Sequence, residues 1–145
     1  MSAELCWSIL RKNSSFLVKS HGLTLTKEPN NLTGTNSFKY NGLVNKKTVG
    51  VEAAPSGKGV VLSLRKTKGA NRPAKSLSKT TLQGSRHAIK TIENTLSANG
   101  YRKDLTEAAV RRACAIIRSQ NTTVVKKNRS RRKTTKNWCY PRWQR

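Results

Sequence analysis

Acidic side chains are scarce in this sequence. Six Asp and Glu residues stand against 30 Lys and Arg residues among 145, which gives a formal net charge of +24. A chain with so few carboxylates repels itself, and a bound polyanion stabilises its compact state. Nucleic acid is the polyanion that this charge favours most, because each neutralised phosphate releases condensed counterions.

Long apolar runs and paired cysteines are missing as well. No stretch of about 18 apolar residues is present to span a bilayer. The N-terminal apolar stretch is too short for a signal peptide and contains Glu4. We therefore expect a cytosolic or nuclear protein with no membrane partner. The three cysteines, Cys6, Cys114 and Cys139, include no Cys-x-x-Cys pair, so we expect neither a disulfide nor a metal site.

Groups that catalyse reactions are equally rare. Neither His21 nor His87 lies at a spacing from an acid that indicates a metal site or an acid–base pair. "SGKG" at 56–59 lacks the earlier glycine and the final Ser or Thr of a phosphate-binding loop, so a plain hairpin turn is the better interpretation. We expect no enzymatic activity, no catalytic residue, no cofactor and no small-molecule substrate.

Apolar periodicity predicts an α+β fold. The first half is predicted to contain a short helix over 3–12, a hairpin over 16–26, a second hairpin from strands 48–52 and 60–65, a basic loop over 65–76 and a further strand over 76–83. Residues 36–42 are predicted to be a short extended piece. These elements form a small antiparallel sheet of two hairpins with one buried face.

The second half is predicted to be helical. Ile89, Ile92 and Leu96 form an apolar stripe over 85–98, and "DLTE" at 104–107 predicts a capping box with Asp104 as the N-cap of a second helix. No apolar pattern follows residue 120. We therefore predict an α+β RNA-binding domain over 1–120, packed with helices, and a basic extended C-terminal tail with terminal aromatics over 121–145.

Basic residues are spread over both parts. The tail holds nine basic residues and no acid, which leaves 21 basic against six acidic side chains in the body. Candidate RNA-binding residues in the body are Lys39, Lys46, Lys47, Arg65, Lys66, Lys68, Arg72, Lys75, Arg111, Arg112 and Arg118. In the tail they are Lys126, Lys127, Arg129, Arg131, Arg132, Lys133, Trp138, Tyr140, Arg142, Trp143 and Arg145.

Each group has an ordinary structural alternative. The three helical arginines would also suit a solvated face, although few acids are present to pair with them. The tail aromatics either fold back onto the body or stack on bases or on another protein. In "NSFKYNGL", 36–43, either Phe38 or Tyr40 anchors to the core while Lys39 faces outward.

Several blocks together carry a resemblance to a known family. The sequence resembles the eukaryotic large-subunit ribosomal protein family numbered twenty-eight over about residues 5–120. The blocks are "NSSFLVK" (13–19), "EPNNL" (28–32), "NSFKYNGL" (36–43), "KTVGVE" (47–52), "GKGVV" (57–61) and "AAVRRACAIIRSQ" (108–120). The terminal "NWCYPRWQR" departs from the family pattern.

The resemblance implies a structural constituent of the cytosolic large ribosomal subunit. Its partners would be ribosomal RNA and neighbouring ribosomal proteins, with assembly in the nucleolus and residence on cytoplasmic ribosomes. One alternative is a nucleolar ribosome-assembly factor with a related N-terminal domain, although this chain lacks the cysteine cluster and long acidic segments of that factor. A general nucleic-acid or chromatin binder is the other.

Overall fold

The computed structural model describes residues 2–69, 71–98 and 100–121, and it confirms the α+β class. The helices are α1 (Ala3–Leu10), α2 (Pro73–Ser76), α3 (Ser85–Ser97) and α4 (Thr106–Gln120), with a 3₁₀ turn at Lys103–Leu105. The strands are β1 (Leu17–Ser20), β2 (Leu23–Thr26), β3 (Val49–Ala53), β4 (Val60–Arg65) and β5 (Leu77–Leu82). The predicted tail contacts lie outside the described residues.

The strands form two separate antiparallel sheets. β1 and β2 make a two-stranded hairpin, and β3, β4 and β5 make a three-stranded sheet in that order. Ser20 pairs with Leu23, so His21 and Gly22 form the whole turn. Their φ angles of 49° and 79° are the left-handed values that a tight two-residue turn requires.

One face of the three-stranded sheet carries the core. Val49 and Val51 on β3 lie beside Leu62 and Val60 on β4, and all four are at most 3% exposed. α3, the 3₁₀ turn and α4 cover this face with a cluster of small and large apolar side chains: Ala88, Ile92, Leu96, Leu105, Ala109 and Ala113. The alanines let α4 pack close to β3. The predicted apolar stripe of α3 is confirmed at Ile92 and Leu96, whereas Ile89 is half-buried.

A buried carboxylate orders the loops beside this sheet. Glu28 is 8% exposed and accepts hydrogen bonds from the side-chain amides of Asn31 (2.8 Å) and Asn41 (2.9 Å) and from the backbone N–H of Gly42 (3.3 Å). A Cβ at position 42 would collide with the carbonyl oxygen of Pro29, so only glycine fits there. Glu28 therefore joins the segments 28–34 and 36–45.

This network explains why the predicted extended piece over 36–42 is wrong. Residues 38–40 and 42–44 form turns. The Asn41 side chain accepts from the N–H groups of Leu43 and Val44, and the Asn45 side chain donates to the carbonyls of Phe38 and Asn41. Local asparagine bonds of this kind compete with strand pairing.

The predicted capping box is also wrong. Leu105 is the N-cap residue of α4, and no side chain caps this helix. Asp104 belongs to the preceding 3₁₀ turn, and its carboxylate pairs with Arg102 at 2.8 Å. The basic loop over 65–76 is mostly exposed as expected, but it also contains the short helix α2.

Candidate nucleic-acid interface

Basic side chains gather at one end of the three-stranded sheet. Because the sheet is antiparallel, β3 begins, β4 ends and β5 begins at the same end. The segments 43–48 and 65–76 meet there and contain no acid. We call this region the basic end and define it by Lys46, Lys47, Arg65, Lys66, Lys68, Arg72 and Lys75. All are exposed except Arg65, which is half-buried.

The surface of the basic end is concave. One groove of about 550 Å³ is lined by Leu43, Lys46 and Arg65, among others. A second, of about 520 Å³, contains Lys47, Lys66 and Lys68. Cationic side chains along such depressions concentrate positive potential and attract phosphate oxygens.

Tyr101 holds the backbone of the basic end in place. Its hydroxyl lies 2.5 Å from the carbonyl oxygen of Arg65 and 3.3 Å from that of Thr48, so it joins the end of β4 to the start of β3. The Nζ atom of Lys47 lies 5.5 Å from the centre of the Tyr101 ring. This ring orients one of the basic side chains as well as fixing the loops.

Arg102 extends this support to the neighbouring loop. Its guanidinium donates to the carbonyl oxygens of Lys47 (3.1 Å) and Lys39 (3.0 Å) and pairs with Asp104. Lys39 is exposed, with its Nζ atom 5.5 Å from the Tyr40 ring. Arg102 therefore links the backbone of Lys39 to that of Lys47 in the basic end.

The two titratable groups of this support have shifted pKa values. Burial raises the pKa of the Tyr101 hydroxyl above its ordinary value of 10.0. Hydrogen bonding from Arg102 lowers the pKa of Asp104 below 3.8. The charged form of Asp104 and the neutral form of Tyr101 are thus the forms that the fold favours.

We expect Tyr101→Phe to lower the free energy of unfolding by about 1 kcal/mol at pH 7, because the carbonyl oxygens of Arg65 and Thr48 lose their hydroxyl donor. A raised pKa in the fold means that the hydroxyl contributes fully below pH 10 and loses its contribution as the pH rises through the folded value. Urea unfolding of both proteins from pH 7 to 11 measures this. A stability difference that widened above pH 10 would contradict the assignment.

The three candidate arginines of α4 have different environments. Arg112 turns inward: its Nε atom donates to the carbonyl of Val51 (2.8 Å), and its Nη1 atom donates to those of Asn31 (3.0 Å) and Leu32 (2.9 Å). Arg111 is exposed and paired with Glu107, and Arg118 is exposed. The geometry gives Arg112 a structural role, while phosphate contact by the other two stays a prediction.

The two aromatic residues of "NSFKYNGL" also differ in how they pack. Tyr40 packs against the core cluster, whereas Phe38 is 40% exposed and meets Trp7 of α1 edge to face, with ring centres 6.0 Å apart. Tyr40 is therefore the anchor. Asn36 adds a second link to the N-terminus through the carbonyl oxygen of Arg11 (2.8 Å).

Other kinds of site find little support in the part of the chain that the structure describes. No group of three or more His, Cys, Asp or Glu side chains is placed to hold a metal ion there. Cys6 and Cys114 are free thiols. None of the described helices has the length and apolar character needed to cross a membrane.

Comparison with known proteins decides the family. The model of the Ribosomal L28e protein family matches residues 5–119. The chain belongs to this family. Proteins named large ribosomal subunit protein eL28 are similar to it: 43% identity in Dictyostelium discoideum (94% of this chain and all of the relative) and 40% in Schizosaccharomyces pombe (83% and 93%). The Caenorhabditis elegans relative is also 40% identical, and the match covers 83% of this chain and 91% of the relative.

The range that the family model matches includes the basic end. Residues 5–119 include the basic end, the Glu28 network and nearly all of α4. Tyr101 and Arg102 lie in the same range, although reasoning from the sequence missed both. The signal available was a Tyr-Arg pair between two predicted helices, which does not indicate contacts with carbonyls 36 to 63 residues away.

Proposed function

We propose that this chain is a structural constituent of the large ribosomal subunit and that its basic end binds phosphates of ribosomal RNA. The curated relatives are named as large-subunit proteins, which supports the assembly. The observation that carries the RNA contact is the basic end: seven cationic side chains in two acid-free segments, with Tyr101 and Arg102 bonded to the backbone carbonyls of Lys47, Thr48 and Arg65.

This geometry favours binding and positioning over chemistry. Lysines and arginines neutralise phosphate charge without reading base sequence, so they set affinity and orientation on a folded RNA. The backbone that Tyr101 and Arg102 hold at Lys47, Thr48 and Arg65 loses less conformational entropy on binding than a mobile segment would. In this proposal the protein acts without catalysis, assembles in the nucleolus and works on cytoplasmic ribosomes, with neighbouring ribosomal proteins as further partners.

The tail is proposed to add a second contact. Its basic residues follow phosphates beyond the body, and about 15 extended residues span up to about 50 Å. At its end, Trp138 or Trp143 stacks on a base or enters a cleft of RNA or protein, with Arg142 or Arg145 on phosphate. The opposite charges of the tail and the RNA phosphates support this route, because the tail has nine basic residues and no acid.

A chain that ends at Gln120 tests the proposed function. We expect it to sediment with large subunits when it is expressed in a eukaryotic cell, because it keeps the core, the basic end and the α4 residue Gln120 that bonds to Gly59. The control is the full chain, which should resist higher salt washes. A shortened chain found only in the free fraction would make the tail the anchor and contradict the proposal.

Arg111 and Arg118 form a smaller, separate test. We expect replacement of both by Gln to reduce the slope of log affinity against log salt for a large-subunit RNA fragment by at most about 2. Arg111 should contribute the smaller part, because it is already paired with Glu107. Filter binding over a salt series measures the slope. An unchanged slope would show that this helix face does not contact the RNA.

A further inference from the structure

The hairpin of β1 and β2 has an apolar face that the described residues leave uncovered. Val18 pairs with Leu25, and Leu23 lies two residues before Leu25 on the same face. Their exposed fractions are 37%, 43% and 66%. In a hairpin this small, three neighbouring aliphatic side chains exposed to this degree indicate a contact surface.

The hairpin is attached to the body along the edge of β2. Thr26 is 7% exposed, and its N–H donates to the carbonyl oxygen of Gly34 at 2.8 Å. Thr24 accepts from the N–H of Asn36 through its carbonyl oxygen. The hairpin is therefore held in one orientation, and its apolar face is a fixed surface.

α1 adds apolar side chains near the hairpin. None of its residues is buried, and Leu5 and Ile9, one helical turn apart, are 53% and 61% exposed. Trp7 of α1 contacts Phe38, and the Asn36 side chain donates to the carbonyl oxygen of Arg11 at the end of α1. The backbone N–H of Asn36 also donates to the carbonyl oxygen of Thr24 in β2. The N-terminal helix and the hairpin thus both present exposed apolar side chains.

We propose that the apolar face of Val18, Leu23 and Leu25 docks a segment of a neighbouring protein that carries apolar and acidic side chains. This inference rests on the proposed function, since the neighbour would be another protein of the large subunit. Charge supports the acidic character: the segment 1–27 that contains the hairpin has four exposed basic residues, Arg11, Lys12, Lys19 and Lys27, and a single acid, Glu4. A neighbour with carboxylates at its rim would meet opposite charge there.

Other occupants are disfavoured by the same observations. A second copy would bring together two chains of +24, and the chain's own tail would bring nine more positive charges. RNA gains affinity from aromatic stacking and from cations on phosphate, whereas Val and Leu side chains offer neither. An apolar face that excludes water against a protein segment gains the full benefit of burial.

A photocrosslink from purified large subunits tests the inference. A benzophenone amino acid replaces Leu23 in one protein and Thr24, exposed on the opposite face, in the control. After irradiation and ribonuclease digestion, we expect one main protein adduct from position 23, mapped by mass spectrometry to an apolar and acidic peptide. The control should give at most a tenth of that yield.

The other outcomes overturn the inference. An adduct to RNA, to a second copy or to a basic peptide, or no adduct from chains that are in subunits, would each contradict it. Failure of both proteins to enter subunits would contradict the proposed function instead. A competition between Leu23→Asp and Thr24→Asp provides an independent readout: against the wild type in one cell, we expect the first to be depleted from subunits about tenfold and the second to match the wild type.

Discussion

Glu28→Ala should lower the free energy of unfolding by about 3–5 kcal/mol, the largest effect on stability that we expect from a single loop residue. The substitution leaves the side-chain amides of Asn31 and Asn41 and the N–H of Gly42 without their acceptor. Because Glu28 and Asn41 are buried, water does not readily replace the Glu28 carboxylate as a hydrogen-bond acceptor. Urea unfolding followed by far-ultraviolet circular dichroism measures the loss.

Two control variants separate the network from the loss of a charge. Glu52→Ala removes an equal charge from an exposed position of β3 and should change stability by less than about 0.5 kcal/mol. Glu28→Gln keeps the shape of the side chain but points an N–H donor at other donor groups. Its free energy of unfolding should therefore lie between those of Glu28→Ala and Glu52→Ala. A Glu28→Ala protein as stable as Glu52→Ala would show that this network does not hold the loops.

Replacing six exposed residues of the basic end by Gln should weaken binding to a large-subunit RNA fragment by roughly a hundredfold or more near 0.1 M salt. The slope of log affinity against log salt should fall by about 4–5, because each lost phosphate contact removes about 0.7–0.9. The six are Lys46, Lys47, Lys66, Lys68, Arg72 and Lys75. Filter binding across a salt series gives both quantities.

A matched variant tests whether place or total charge decides the binding. It replaces six basic residues that are also exposed but lie away from the basic end, namely Lys12, Lys19, Lys27, Lys58, Arg86 and Lys90. It has the same net charge as the first variant, yet its slope should fall by less than half as much. Equal losses for the two variants would mean that the RNA responds to overall charge, and the assignment of the basic end would be wrong.

The regular elements were accessible from the sequence because their signals are local. Alternating Val and Leu residues predicted β3 and β4, and the stripe of Ile92 and Leu96 predicted α3. The basic end was predicted only as a set of residues. Bringing them to one place required the antiparallel pairing of β3, β4 and β5, which loop composition does not specify.

The errors arose where a side chain bonds to backbone far along the chain. Arg112 was grouped with Arg111 and Arg118 because all three lie on one helix, yet its acceptors are carbonyls 61 to 81 residues away. A variant of all three arginines would therefore disturb the fold as well as the surface. Asp104 was expected to cap α4, but the neighbouring Arg102 takes its carboxylate.

The most direct test of the central claim is an electron cryo-microscopy map of the large subunit containing this chain. We expect side-chain nitrogens of Lys46, Lys66, Lys68 and Arg72 to lie within about 4 Å of ribosomal RNA phosphate oxygens. We also expect Tyr101 and Arg102 to keep their contacts with the carbonyls of Arg65 and Lys47. A map in which the basic end faces solvent, while another surface of the chain contacts the RNA, would contradict the claim.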